Sequence, residues 1–184
     1  MNGKDKAIND IVEFLKSDRR CILITGTHQY KKHVLVMALL DKYYKNAKIL
    51  FRASGVNHAF STKDILGQFN LKTKKSGELF ELYNNYYAVD SYKRRDTWYK
   101  SNDNYDFAIV FSIDAILQNS VDIECIQELF ERESIKKIFL ISWTDHFDDN
   151  YSKLDKYLDA KTFYDVEEEN IEYHNRVKEA YYRK

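Results

Sequence analysis

Short apolar runs alternate along the chain with stretches whose apolar residues recur at helical spacing. A run that is apolar at every position is typical of a strand that is buried on both faces of a parallel sheet. The strongest predicted strands are 21–25 (CILIT), 48–53 (KILFRA), 107–113 (FAIVFSI) and 137–143 (KIFLISW), with weaker ones at 86–92 and 161–166. The helical spacing predicts helices at 5–17, 32–45, 64–69, 76–84, 123–133, 153–158 and 167–182.

This alternation predicts an α/β fold with three layers. Its sheet is mostly parallel, with about five or six strands and helices on both faces. No Asn-Gly or Asp-Gly pair joins two predicted strands, so the helices serve as the crossovers that parallel strands require. The chain has 184 residues and no recognisable linker or repeat, which favours a single domain over 1–184.

Composition narrows the class of protein. Hydrophobic residues make up 44% of the chain, which excludes a disordered protein, and no apolar run is long enough to span a bilayer. The two cysteines, Cys21 and Cys125, predict buried thiols of a reducing compartment, so we expect a cytoplasmic protein with no membrane partner. Lys plus Arg and Asp plus Glu number 29 each, so an anionic ligand requires a local basic patch.

The loop after the first strand carries the first candidate chemistry. It begins at Gly26 and leads through Lys32 into a helix, with the separation of glycine and lysine in the phosphate-binding pattern G-x-x-x-x-G-K-[ST]. Over residues 8–55 the chain resembles the P-loop NTPases, in particular the AAA-like and helicase-like ATPase cores. That resemblance implies ATP or GTP with Mg²⁺ as cofactor. The phosphate-binding candidates are Gly26, Thr27, Lys31, Lys32 and His33.

The loop departs from the P-loop pattern at several positions. Lys31 stands where the second glycine lets the backbone wrap the phosphates, and His33 replaces the hydroxyl that holds Mg²⁺. Three bulky residues, 28–30, occupy positions that are usually small. The sequence therefore favours a vestigial loop that keeps only the fold, with a loop that still binds a nucleotide as the alternative.

The residues that would serve Mg²⁺ and the attacking water are also incomplete. In the resemblance, Asp114 is the candidate metal ligand, although it follows its strand three positions late and also suits a helix cap. Thr144–His146 resembles the segment that senses the γ-phosphate in AAA-like ATPases. The alternative is a helix cap or an ordinary loop. Hydrolysis needs the phosphate cradle, Mg²⁺ and a positioned water together, so the sequence predicts a domain without ATPase activity.

A second candidate site is a basic segment in the middle of the chain. Basic side chains there alternate with aromatic ones, as binding to single-stranded nucleic acid requires. The candidates are Lys72, Lys74, Lys75, Lys93, Arg94, Arg95 and Trp98. The alternative is a set of ordinary solvated charges. The acidic stretch 145–149, with His146, suits a solvated loop better than a metal site.

The leading hypothesis is a degenerate, non-catalytic P-loop-like domain that acts by binding protein or nucleic acid, in a phage, mobile-element or DNA-transaction setting. Tyrosines on the last predicted helix, Tyr173, Tyr181 and Tyr182, favour a protein partner or a homo-oligomer. One alternative is an NTPase with an unusual phosphate loop, which would use Lys32 on the phosphates and Asp114 on the metal. The other is a module that binds single-stranded nucleic acid through the basic segment.

Overall fold

A seven-stranded sheet forms the centre of the computed structural model, which describes residues 2–101, 103–118, 123–144 and 151–181. The order of its strands is β3-β4-β2-β5-β6-β1-β7. The strands are β1 Cys21–Thr25, β2 Lys48–Ala53, β3 Phe80–Leu82, β4 Asn85–Ser91, β5 Phe107–Phe111, β6 Lys137–Ile141 and β7 Ala160–Phe163. The helices are α1 Lys4–Lys16, α2 Lys32–Tyr43, α3 Val56–Ser61, α4 Arg95–Lys100, α5 Ile113–Gln118, α6 Glu124–Glu131 and α7 Ile171–Tyr181, with 3-10 segments at Gly67–Phe69 and Tyr151–Tyr157.

Alternate residues of each central strand supply two separate cores, because successive side chains point to opposite faces. In β1, Ile22 and Ile24 pack with α1, α2 and α3, whereas Cys21 and Leu23 pack with α5 and α6 on the other face. Both cysteines are buried, and neither forms a disulfide. The structure therefore confirms the three-layer α/β fold.

The main departure from the sequence pattern is an antiparallel hairpin of β3 and β4, in a region whose first part, 76–84, was predicted to be helical. Its two-residue turn is Tyr83-Asn84, with Tyr83 at φ 57°. The Asn84 backbone N–H and side-chain amide both donate to Asp41 of α2, at 2.8 and 3.0 Å. A contact from a distant helix thus supports a turn that lacks the usual Asn-Gly signal.

The six strands other than β3 run parallel, so their carboxyl ends lie at one edge of the sheet. Ligands of open α/β sheets bind beyond this edge. The loop after β1 and the segments after β2 and β4 all lie there. Within the described ranges, every helix is too short or too polar to cross a bilayer.

Candidate functional site

The candidate phosphate loop, residues 26–31, connects β1 to α2 and packs closely against the segment after β7. Gly26 has φ +112°, a conformation that glycine adopts easily. A Cβ atom at this position would lie only 2.6 Å from the Tyr164 carbonyl oxygen. The first glycine is therefore required here by contact with the protein's own backbone.

Two backbone N–H groups of the loop are already bonded within the protein. Thr27 donates its N–H to the Asp165 carboxylate at 2.8 Å, and His28 donates its N–H to the Tyr164 carbonyl at 3.0 Å. In return, Val166 donates its N–H to the Thr27 hydroxyl at 3.1 Å. Phosphate loops present such N–H groups to the ligand, whereas these two are used to hold the loop to residues 164–166.

The Lys32 side chain is fully buried and turned towards the loop itself. Its ammonium group donates to the Gly26 carbonyl at 2.5 Å and to the Trp143 carbonyl at 3.2 Å. A lysine that binds a phosphate must reach beyond the loop. Lys32 instead bridges the end of β1 to the segment after β6.

Side chains fill the remaining space around the loop. The Gln29 amide donates to the Thr144 hydroxyl and accepts from the Tyr173 hydroxyl. Tyr30 packs edge-on against Trp143, with ring centroids 5.2 Å apart. Lys31 is exposed and forms an ion pair with Glu169 at 3.2 Å. The loop is consequently closed over by residues 164–173 and by Trp143.

His33, at the position of the magnesium-binding hydroxyl, lies in an apolar pocket. It is fully buried, and its ring lies 4.5 Å from that of Phe111. Burial lowers the pKa of His33 to about 4, so the ring is neutral near pH 7. A neutral imidazole among phenylalanines offers no ligand suited to Mg²⁺.

Asp114, the candidate metal ligand, binds backbone instead. Its two carboxylate oxygens accept the N–H groups of Trp143 and Thr144 at 2.8 and 3.1 Å. The pKa of this carboxyl is raised, because the effect of burial is larger than the opposing effects of those two hydrogen bonds and of the charge of Lys32. Asp114 therefore fixes the segment after β6, and together with Lys32 it forms part of a closed polar core.

The groups present do not fit a magnesium nucleotide. The N–H groups of Thr27 and His28, the Lys32 ammonium and both Asp114 oxygens all have protein partners, and the loop interior is filled. No step of nucleotide hydrolysis can be derived from this geometry.

The predicted basic segment divides between two surfaces. Lys74, Lys75, Lys93 and Arg94 line one open cleft of about 940 Å³ beyond the carboxyl ends of β2 and β4. We call this the basic cleft; its walls are residues 54–58, 73–76, 78, 91, 93–94, 96–97 and 100.

The remaining candidates of the basic segment lie elsewhere. Arg95 and Trp98 face a second depression on the opposite side of α4, where Arg95 pairs with Glu124. Lys72 is exposed and does not line the basic cleft. The structure thus brings four of the seven predicted residues together.

A buried charge network, which the sequence pattern did not indicate, supports the basic cleft from below. Arg52 is fully buried and binds both oxygens of Asp90, at 2.9 and 2.7 Å. Asp90 also accepts the Ser101 hydroxyl at 2.8 Å, and Trp98 lies over the Arg52 guanidinium at 4.9 Å. The sequence feature that could have indicated this network is the arginine within the predicted strand KILFRA, because charged residues are rare inside central strands.

Some of the sequence-derived candidates lie outside the described residues, namely Asp145, His146, Asp148 and Asp149, as well as Tyr182. Thr144, the first residue of the proposed sensor, is buried against Gln29. Among the described residues, no three His, Cys, Asp or Glu side chains are grouped to hold a metal ion.

Comparison with known proteins supports the fold. No protein-family profile matches the sequence, and no curated protein matches it either. Two structures of the large terminase from a thermophilic bacteriophage, one of them in complex with ADP, are similar, with TM-scores of 0.60 and 0.61 and 10% and 11% identity. Each alignment covers 95% of this chain and 48% of the terminase, so the chain spans about half the length of that protein. This similarity shows that the chain shares its α/β fold with that part of the terminase.

Proposed function

We propose that this chain is a non-hydrolysing P-loop-type domain that acts by binding a macromolecule, with nucleic acid favoured over protein. The observation that carries the proposal is the position of Lys32, whose buried ammonium group binds the carbonyls of Gly26 and Trp143. Phosphoryl transfer depends almost entirely on positioning and electrostatic stabilisation of the phosphates. A domain whose phosphate-binding lysine supports its own backbone retains the scaffold without that function.

The structural similarity to a phage terminase supports a phage or DNA-packaging setting for this binding function. The described basic cleft supports nucleic acid as the ligand. Support for a protein partner at α7 is weaker, because the Tyr173 hydroxyl binds Gln29 and its ring lies 6.3 Å from that of Tyr30. The contacts of Tyr173 are therefore made within the chain and do not require a partner protein.

Calorimetry and a phosphate-release assay test the loss of nucleotide function. We expect no binding heat with Mg²⁺-ATP or Mg²⁺-GTP at millimolar concentration, and phosphate release no faster than in buffer. The binding heat and the rate of phosphate release should be the same in Lys32→Ala as in the wild type. They should also be unchanged in the matched variant Lys31→Ala, which alters an exposed lysine of the same loop. Turnover that is lost in Lys32→Ala and kept in Lys31→Ala would overturn the proposal and establish the NTPase alternative, with Lys32 on the phosphates and Asp114 on the metal.

A further inference from the structure

The geometry points to the basic cleft as the site that binds the sugar-phosphate backbone of a single-stranded nucleic acid. This inference rests on the proposed binding function and names its site and its ligand. The site lies beyond β2 and β4, which are three and four strand positions away from β1 in the sheet. At about 4.8 Å per strand, roughly 14–19 Å along the sheet separate it from the closed phosphate loop.

The charge of the cleft suits a polyanion. Its described lining contains five cationic side chains against two carboxylates. Lys74 pairs with Glu78 at 3.3 Å, and Asp96 pairs with Arg94 at 2.8 Å and with Lys100 at 3.4 Å. Ion pairs at the surface are weak, so a phosphate can replace the carboxylate in each of these pairs.

Two ammonium groups of the cleft have no such partner. Lys75 and Lys93 are exposed, and within the described part of the chain neither side chain forms an ion pair or a hydrogen bond. Their backbone N–H groups bind Glu78 and Ser91, at 3.0 and 3.2 Å, so both residues are held in place at the main chain. They are the first candidates for phosphate contacts.

The backbone of the cleft walls is fixed before any ligand binds. Ser91 donates its hydroxyl to the Ser54 carbonyl at 2.9 Å and accepts the Trp98 indole N–H on its carbonyl at 2.7 Å, so the ends of β2, β4 and α4 are joined. Ser76 donates to the Thr97 carbonyl at 3.2 Å, and Gly77 donates its N–H to the Val89 carbonyl at 3.1 Å. Binding therefore orders side chains only, which lowers its entropic cost.

The residue types of the lining differ from those of a typical small-molecule pocket. Such pockets are lined mainly by hydrophobic and aromatic side chains, whereas Val56 is the single aliphatic side chain among the described residues that line this cleft. An open, basic cleft fits an extended chain of phosphates better than a compact, uncharged ligand.

An exposed aromatic ring on the other side of α4 favours a flexible single strand, which can continue past this helix, over a duplex. Tyr99 of α4 is 82% exposed and lines the second depression with Arg95 and Trp98, while the next residue, Lys100, lines the basic cleft. Unpaired bases can stack on such a ring, while the bases of a duplex are already stacked on one another.

Fluorescence anisotropy with labelled oligothymidylate and oligouridylate tests the inference, and a duplex of the same length and inorganic phosphate serve as competitors. The test variant is Lys75→Gln/Lys93→Gln. The matched control is Lys16→Gln/Lys45→Gln, which removes two exposed lysines at the opposite edge of the sheet. Each phosphate contact to a single strand makes the negative slope of log K against log salt steeper by roughly 0.7. The loss of two contacts in the test variant should therefore make that slope shallower by about 1.4 and weaken the affinity at 0.1 M salt by about 25-fold. The control should retain both values.

Equal loss in both double variants, absence of binding to either oligonucleotide at low salt, or stronger competition by the duplex would each overturn the inference. Displacement by inorganic phosphate at matched phosphate concentration would do the same, since it would indicate a site for small anions. Nucleotide turnover by the wild type would overturn the proposed function alone, so the two failures are distinguishable.

Discussion

Arg52 shows how a single residue of β2 determines the neighbourhood of the basic cleft. Its guanidinium lies on the same face as Leu50 and binds Asp90, the Cys125 carbonyl at 2.5 Å and Glu128 at 2.8 Å. A buried charge is stable only when its hydrogen-bonding groups have partners. Here the partners come from β4 and α6, so one side chain fastens a strand, its neighbour and a covering helix.

Replacement of Arg52 should therefore be costly. Arg52→Met leaves the buried Asp90 carboxylate without its cation and should lower the free energy of unfolding by about 3–5 kcal/mol. Urea denaturation followed by circular dichroism measures the change. Arg95→Met breaks an exposed ion pair with Glu124 and should cost no more than about 1 kcal/mol. Similar losses in the two variants would contradict this role of Arg52.

His33 predicts a specific dependence of stability on pH. The folded-state pKa of about 4 lies below the usual 6.5, so between these values the unfolded chain binds more protons at this site. The stability that the neutral His33 ring contributes to the folded state is fully present above pH 6.5 and is lost as the pH falls towards 4. At pH 5 the loss from this one group amounts to about 2 kcal/mol.

His33→Phe should remove that part of the pH dependence, because phenylalanine has no proton to gain and suits the neighbouring rings of Phe51 and Phe111. Unfolding free energies at pH 7 and pH 5 should differ by about 2 kcal/mol less in this variant than in the wild type. His58→Gln, at an exposed position, should leave the difference unchanged. An unaltered pH dependence in His33→Phe would refute the assignment.

At the scale of elements, the segment before β3 depends on Gly77. This residue has φ +76°, and a Cβ atom here would collide with the Lys100 carbonyl oxygen of α4. Gly77→Ala should cost about 1–3 kcal/mol and separate the wall containing Lys74 and Lys75 from α4.

A second glycine provides the comparison for Gly77. Gly55 has an extended backbone, and a Cβ atom added there would meet only the His58 Cβ atom, at 3.8 Å. Gly55→Ala should therefore leave stability close to wild type, whereas Gly77→Ala should reduce both stability and oligonucleotide binding. Thermal denaturation and the anisotropy assay measure the pair. Equal behaviour of the two variants would exclude a special role of Gly77.

The segment between β7 and α7 should control the mobility of the phosphate loop. Asp165 accepts both the N–H and the hydroxyl of Thr27, at 2.8 and 3.1 Å. Asp165→Ala leaves that buried N–H without a partner at a cost of about 1–3 kcal/mol, so hydrogen exchange at Thr27 should accelerate. Asp155→Ala, which removes only an exposed ion pair with Lys161, should leave exchange at Thr27 unchanged. Unaltered protection in Asp165→Ala would contradict the role of this segment.

At the scale of the whole molecule, one continuous sheet connects the closed loop with the basic cleft, and the single domain remains a prediction that an unfolding experiment can test. The two tryptophans report on the two regions, since Trp98 packs on Arg52 below the cleft and Trp143 packs on Tyr30 beside the loop. Single-tryptophan variants, Trp98→Phe and Trp143→Phe, should give coincident urea transitions by fluorescence and circular dichroism. Separate midpoints would indicate two independently folding units.

Elements with strong periodicity were predictable from the sequence. β1 and β2 have the predicted bounds, 21–25 and 48–53, and α2 begins at Lys32 as expected. The hairpin of β3 and β4 was missed because its Tyr83-Asn84 turn depends on Asp41, which is 43 residues away from Asn84. The short helices α3 and α5 were missed because six residues contain too little periodicity to distinguish a helix from a strand end.

The sequence by itself determined the α/β class and the three-layer arrangement, and it indicated the departures from a phosphate loop at Lys31 and His33. These follow from local patterns, since burial on one or both faces of an element is encoded in the spacing of apolar residues. Only the tertiary structure decided where Lys32 and Asp114 make their hydrogen bonds and which basic residues share a cleft. Those outcomes depend on contacts between segments far apart in the chain, such as 73–78 with 91–100, and no local spacing encodes them.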